Sequence, residues 1–309
     1  MQRLRHVVLT VLLVGTIACR ADAPPDARAT LPDEATANAA VAAWRDKHEQ
    51  DYRRNYVTIA GLHPLEPGDN TAGSAPGHDI VLPASTPATL GRFTLDGERV
   101  TFRPAPGVGV QLRGEPVTDP VELRDDSVPA AEELVTGGVR LVVHKSGKTR
   151  AIRVRDPSGP LARGFRGFSW FPIDARYRVI GRLIKDPQPQ KLKVVNTYGD
   201  LDEYESEGVV EFSLLGQTLR LRPFTTRPGR LYFVFRDASS GEETYETARF
   251  LYSDLREDGT TVLDFNMAYN PPCAFNPYTT CPIPLPENRL PVKILAGEKR
   301  YTKSLIANP

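Results

Sequence analysis

Histidine occurs only five times in 309 residues, cysteine three times and tryptophan twice. His48, His63, His78 and His144 lie beyond the first twenty residues, and none stands in an H-x-x-x-H or H-E-x-x-H arrangement, so no zinc motif is offered and no metal is expected. The chain has neither a G-x-S-x-G elbow nor a G-x-x-x-x-G-K-[ST] loop. Gly107-Val108-Gly109 is followed by no third glycine and no helix-like run, which removes the dinucleotide fingerprint and any implied cofactor. A Ser-His-Asp triad assembles in space and stays open, but no residue pattern points to one. A basic excess is missing as well. The formal net charge of +1 leaves no surplus to neutralise phosphates, so nucleic acid is not an expected partner. Internal repeats and helix–strand alternation are absent, which argues against a parallel α/β sheet.

What is present is an ordinary globular balance, 40% hydrophobic and 25% charged, with 24 glycines and 28 prolines that favour turns over long helices. The length allows two domains or one large β domain. Arg3 and Arg5 precede a short apolar run over 7–17, the layout of a secretory signal and too short for a comfortable transmembrane helix. Thr16-Ile17-Ala18-Cys19 resembles a bacterial lipobox, with threonine where leucine is usual. That resemblance implies cleavage after residue 18, a diacylglyceryl group on Cys19, and a membrane partner through the lipid. Arg20, not aspartate, follows the cysteine, which directs the expected address to the outer membrane, facing the periplasm. Ordinary signal cleavage near Ala21 or Ala23, discarding Cys19, is the alternative.

Residues 19–32 read as an extended Ala/Pro/Asp tether. Over 33–56, Ala37, Ala40, Val41, Trp44, His48 and Tyr52 recur at helical spacing, giving the single long helix. Its charged second half, 45–54, reads as the solvated face of a helix packed on one side. Everything after Tyr56 reads as β. Leu95-Asp96-Gly97-Glu98, Lys145-Ser146-Gly147-Lys148 and Glu257-Asp258-Gly259-Thr260 are hairpin signals. Runs at 139–144, 151–154, 192–195, 218–221, 231–235 and 261–265 are rich in β-branched or aromatic residues. The expectation is a mainly β protein, antiparallel and sandwich- or barrel-like. It divides into a helix plus first β unit over 33–164 and a second β unit over 165–309. Arg153, Arg155 and Asp156, with Arg236 and Asp237, are candidates for buried ion pairs joining the halves.

The most unusual stretch runs from Asp264 to Cys281 and returns through Pro282-Ile-Pro-Leu-Pro286, Glu287-Asn288-Arg289 and Ala296-Gly297-Glu298. It has no hydrophobic period, and repeated proline fixes φ and removes amide donors, so a rigid shaped loop is expected. Such loops on β scaffolds often carry function. Asn270-Pro271-Pro272-Cys273-Ala274-Phe275, Cys281-Pro282 and Asn288-Arg289-Leu290 resemble an uncharacterised bacterial family catalogued as domain of unknown function sixteen eighty-four. Further matching stretches are Gly61-Leu62-His63-Pro64, Arg153-Val154-Arg155-Asp156, Phe171-Pro172 and Glu243-Thr244-Tyr245. The resemblance spans 44–299 and implies no activity. A second likeness, Leu65-Glu-Pro-Gly68 with Gly73-Ser74 and Asp79-Ile80-Val81-Leu82, resembles the opening of a forkhead-associated β-sandwich. Ser74 stands where that fold places its phosphate-binding arginine and no Ser-x-x-His follows, so the phosphopeptide function does not carry over.

Cys273 and Cys281 are expected to form a disulfide outside the cytoplasm, closing a short loop worth roughly 2.5 kcal/mol in the chain-entropy model; separate thiols, or a metal or catalytic role, are the alternatives. Asp264, Asn266, Tyr269, Asn270, Asn276, Asn288, Arg289 and Glu298 are the candidate binding residues. Amides and carboxylates around an aromatic floor of Tyr269, Phe275 and Tyr278 suit a polar small molecule or glycan. The chain is read as a cell-envelope lipoprotein of that kind. A hydrolase using Asp264 and Glu298 as a carboxylate pair is the first alternative. A structural or interaction protein, with the asparagines bracing irregular backbone, is the second.

Overall fold

The computed structural model describes residues 30–129 and 131–301. The signal segment, Cys19 and most of the tether therefore lie outside the described residues. Among the described residues no helix is long and apolar enough to cross a membrane. The fold is mainly β and antiparallel, with one long helix, as the hairpin signals predict.

Asp33 starts the helix Glu34–Asn55 by accepting a hydrogen bond from the Thr36 N–H at 2.9 Å, an N-cap that satisfies one otherwise orphaned donor. Ala37, Val41, His48 and Tyr52 are its buried face. That face packs on the C-terminal half. Arg45 donates to the carbonyls of Phe171 (3.1 Å) and Asn266 (3.0 Å), and Tyr52 donates to the Asn270 carbonyl (3.2 Å). The Arg45 guanidinium also lies 4.7 Å over Trp170.

In the N-terminal half, one sheet orders Ile59–Pro64, Thr149–Arg155, Val139–Ser146, Glu133–Thr136, Gln111–Leu112 and Glu115–Pro116. A second sheet orders Ile80–Val81, Gly68–Gly73, Gly91–Asp96, Arg99–Pro104 and Val121–Leu123. Alternate residues of both, among them Phe93, Phe102, Leu134, Leu141 and Ile152, share one apolar core. The two hairpin turns fall at Asp96–Arg99 and Ser146–Thr149, where Asp-Gly and Ser-Gly supply the tight reversals.

The C-terminal half is built on a long ribbon, Arg178–Val195 against Leu201–Leu214, flanked by Gln217–Leu221 and Thr260–Asp264. Pro187 and Pro189 sit where the ribbon's register shifts, between Lys185 and Gln190, because proline cannot donate to a ladder. A three-stranded sheet, Phe224–Arg227, Arg230–Phe235 and Arg249–Asp254, completes the half around Phe212, Phe233, Phe235 and Phe265.

The expected ion pairs do not join the halves. Arg153 pairs with Asp126 (2.8 Å) and Arg155 with Glu133 (3.1 Å), both within the first half. Asp237 pairs with Arg249 (2.7 Å) inside the second, and Asp156 accepts from the N–H and hydroxyl of Ser158. Hydrogen bonds link the halves instead: beside those of Arg45, Asn196 donates to the Ser146 hydroxyl (2.8 Å), Thr149 to Asp200 (3.0 Å), and Asn276 to the carbonyls of Tyr56 (2.8 Å) and Ile59 (2.9 Å). Such bonds avoid the cost of desolvating two charges.

Candidate functional site

The proline-rich segment is shaped by short 3-10 turns, Phe265–Met267, Pro272–Ala274 and Pro286–Asn288, and its asparagines hold those turns against the body. Asn266 accepts from the Asp174 N–H and donates to the Asp174 carbonyl, each at 2.9 Å. Asn288 does the same to Arg222, each at 2.8 Å, and adds the Val234 carbonyl at 3.0 Å. In both cases a carboxamide replaces the peptide unit of a neighbouring strand where the loop backbone cannot pair. Asn276 accepts from the Tyr278 N–H (2.9 Å) while its amide clamps the end of the helix. These three side chains are fully engaged with protein, and Arg289, next to the buried Asn288, is exposed.

Asp264 and Glu298 do not face each other across a cleft. Asp264 pairs with Arg178 at 2.6 Å and accepts from the Asn266 N–H and amide, on the wall of a cavity of about 510 Å³ beneath the helix. Glu298 is fully buried and accepts from the N–H and the amide of Asn270, each at 2.8 Å. Gly297 places it there. With φ of +78°, a Cβ at Gly297 would lie 2.2 Å from the Ala268 carbonyl, so only glycine admits this close approach. Burial pushes the Glu298 carboxyl up to about 8, against the lowering pull of the Asn270 donors and the Arg249 charge.

Cys273 and Cys281 are free thiols in contact, hydrogen-bonded to each other. That bond and burial push the Cys273 thiol far up. The expected disulfide is not formed in this structure.

Of the sequence-predicted residues, Tyr269 leads to a cavity of about 440 Å³ between the helix C-terminus and the proline-rich segment. Five tyrosines line it: Tyr52 and Tyr56 from the helix end, Tyr232 and Tyr252 from adjacent strands, and Tyr269. Tyr232 stacks on Tyr252 with centroids 4.5 Å apart, and Tyr52 meets Tyr269 edge-on at 6.1 Å. Only Tyr52 spends its hydroxyl on protein. No hydrogen bond engages the hydroxyls of Tyr56, Tyr232, Tyr252 or Tyr269 among the described residues. Burial raises all five phenols, that of Tyr252 to about 12, so they remain neutral donors. His48 contributes a buried Nε2 with no partner, and burial lowers its imidazole to about 4, which keeps it neutral. Asp51, Asn55, Arg153, Thr279, Thr280 and Cys281 complete the polar lining.

Thr280 sits on the rim of this cavity, and its hydroxyl meets His144 Nε2 at 3.0 Å. His144 Nδ1 lies 2.8 Å from Asp126 Oδ2, and Arg153 donates to the same oxygen at 2.8 Å. Burial alone raises the Asp126 carboxyl, but the His144 bond and charge, Arg153 and the Lys145 N–H hold it below the usual range. Sequence reading missed the tyrosine cluster because its helical and strand members come from opposite ends of the chain, with no shared motif.

No curated protein matches the chain. Among solved structures, the solution NMR structure of an uncharacterized protein from gene locus rrnAC0354 of Haloarcula marismortui is 30% identical, covering 47% of this chain and 82% of that one, at a TM-score of 0.38. The FHA domain of FhaA, complexed with the intracellular domain of Rv3910, matches at 17% identity over 30% of this chain and 97% of its own length, with a TM-score of 0.22. Mycobacterium tuberculosis EmbR, in complex with a low-affinity phosphopeptide, matches at 17% over 41% of this chain and 33% of its own, TM-score 0.22. The model of the family described as "Protein of unknown function (DUF1684)" matches residues 163–299, which takes in the whole proline-rich segment and leaves the motif stretches at 61–64 and 153–156 outside it. Over that C-terminal segment, somewhat less than half of the chain, the protein is similar to this family of proteins of unknown function.

Proposed function

We propose that the protein binds a polar small molecule or glycan in the tyrosine-lined cavity. The observation that carries this reading is the convergence of four tyrosine hydroxyls and a buried histidine nitrogen, all without protein partners, on one space. The buried, unpaired His48 Nε2 costs free energy that a bound polar group recovers, and the four hydroxyls offer further donors to a ligand rich in hydroxyl or carbonyl oxygens. The phenol rings offer flat faces for a pyranose or similar ring, and Arg153 adds a cation for an acidic substituent. The site differs from the polar face centred on Asp264 and Glu298, but it uses the same C-terminal segment through Tyr269, Pro272 and Cys281.

Binding to the native state raises stability by mass action, about 2.7 kcal/mol at a hundredfold excess over Kd, which is roughly 5–10 °C in Tm for a chain of this size. Thermal stabilisation across a panel of glycans and hydroxylated metabolites is the measurement. At least one compound is expected to stabilise the wild type, and Tyr252→Phe and Tyr56→Phe, which remove only hydroxyls, are expected to lose most of the shift. A panel without effect, or equal shifts in both variants, removes the cavity from contention.

We further propose that the chain is held at the outer membrane, facing the periplasm, through a lipid on Cys19, and that Cys273 and Cys281 are oxidised there. The lipobox-like tetrapeptide supports the first, and the contact of the two thiols supports the second. Mass mapping of envelope-recovered protein without reductant is expected to show a diacylglyceryl mass on Cys19 and a linked 273–281 peptide. Unmodified Cys19 or alkylatable thiols at 273 and 281 count against the respective half.

A further inference from the structure

We propose that Thr280 is a nucleophile for acyl transfer, with His144 as its base and Asp126 as the positioning residue, and that the substrate is a carboxylic ester carried by the ligand of the tyrosine-lined cavity. This rests on the cavity reading for the identity of the alcohol but not for the chemistry. Asp126 and His144, 18 residues apart, meet Thr280, 136 residues further on, in a continuous line of hydrogen bonds, 2.8 Å from carboxylate to Nδ1 and 3.0 Å from Nε2 to the hydroxyl. A carboxylate accepts only, so Nδ1 carries the hydrogen, and in the neutral ring Nε2 is left with a lone pair that accepts the Thr280 O–H. That tautomer is the one a general base needs. Arg153 and the Lys145 N–H, both on Asp126, fix the carboxylate in turn.

A purely structural reading does not account for where the hydroxyl sits. The neighbouring Thr279 spends its hydroxyl on the Asn276 carbonyl (2.9 Å) and Thr197 spends its own on the Thr279 carbonyl (3.2 Å), as loop-bracing threonines do. Thr280 instead gives its hydroxyl to an imidazole, on the rim of the cavity with the unpaired donors. Its backbone N–H has no acceptor among the described residues, which leaves a donor beside the nucleophile for a developing oxyanion.

In the first step Thr280 Oγ bonds to the ester carbonyl carbon while its proton moves to His144 Nε2. The bond from that carbon to the alcohol oxygen breaks, and Nε2 returns the proton to the leaving oxygen, giving an acyl-threonine and free alcohol. Water then attacks the acyl carbon as Nε2 takes its proton. The carboxylic acid leaves and the proton returns to Thr280 Oγ.

The test exposes purified full-length protein to a fluorophosphonate probe and, separately, to 4-nitrophenyl acetate. The wild type is expected to carry the phosphonyl adduct on Thr280 by peptide mass mapping and to hydrolyse the ester. Thr280→Val and His144→Gln are expected to lose at least a hundredfold in both, and Thr280→Ser to stay within tenfold of wild type. Asp126→Asn is expected to behave like His144→Gln, with partial recovery in Asp126→Glu that a merely structural carboxylate would not produce. If Thr280→Val fails to fold, the contrast between Thr280→Ser and His144→Gln decides. No adduct on Thr280 in the wild type, or ester hydrolysis equally fast in His144→Gln, overturns the proposal. A ligand-induced thermal shift without an adduct removes the chemistry and leaves the binding site, whereas an adduct without any shift leaves the chemistry and removes the glycan.

Discussion

Arg249→Leu is expected to cost about 3–5 kcal/mol, the usual penalty for stripping one partner from a buried ion pair. Arg249 and Asp237 are both completely buried and meet at 2.7 Å. Arg249 also donates to the Ile294 carbonyl at 3.0 Å and to that of Ala296, so one side chain ties the 294–296 segment to the strand Arg249–Asp254. Asp237 accepts from the Ser239 N–H (2.7 Å) and the Ile294 N–H (3.3 Å). Leucine removes the cation and two carbonyl partners and leaves the carboxylate behind in a dry core, where no water replaces the lost donor. At roughly 2–4 °C per kcal/mol for a domain this large, Tm should fall by about 6–20 °C. Chemical denaturation at neutral pH measures the loss directly. Arg249→Leu combined with Asp237→Leu is expected to recover a substantial part of it, because the double change leaves no uncompensated charge. A single-variant loss below about 1 kcal/mol would show that the pair is not the clamp described here. The clamp matters to the site because the segment it holds leads straight into Gly297 and Glu298, and through Asn270 to the cavity wall at Tyr269.

Glu298→Gln is expected to change the pH dependence of stability more than any other single exposed or buried carboxylate discussed here. Its folded pKa of about 8 lies above the ordinary 4.5, because burial penalises the anion more than the Asn270 donors and Arg249 favour it, while Glu49 adds repulsion. The folded state therefore keeps a proton that the unfolded chain releases. With a raised folded pKa, the stabilisation is complete below about pH 4.5 and is lost as pH rises through about 8. At about 1.4 kcal/mol per unit, the window is worth about 3–5 kcal/mol. Glutamine keeps an acceptor for the Asn270 N–H and never ionises, so the stability difference between variant and wild type should move in the variant's favour by that amount between pH 5 and pH 9. Urea unfolding of both proteins at several pH values reads the difference with the contribution of all other groups cancelled. Parallel curves would place the Glu298 proton elsewhere.

Local chemistry was legible in the chain before any coordinates. The helical spacing of Ala37, Val41, His48 and Tyr52 and the Asp-Gly and Ser-Gly reversals each act within a few residues, so periodicity and turn propensity expose them. The proline run from Pro271 to Pro286 announced a rigid segment for the same reason: fixed φ and missing donors are properties of the residues themselves. A mainly β architecture with a single long helix follows from these alone. The roles of the asparagines did not follow. Whether Asn266 and Asn288 face a ligand or pair with the backbone of Asp174 and Arg222 depends on what lies opposite them, 92 and 66 residues away in sequence. The partners of Asp237 and Arg153 were hidden likewise, because any charged residue of opposite sign satisfies the pattern and only packing selects Arg249 and Asp126. Tertiary structure alone brought His144 to Thr280 across 136 residues, gathered five tyrosines around one cavity and buried Glu298. Hydrogen bonds and desolvation are set by distance in space, and a chain folded into antiparallel sheets makes spatial neighbours of residues that no sequence interval connects.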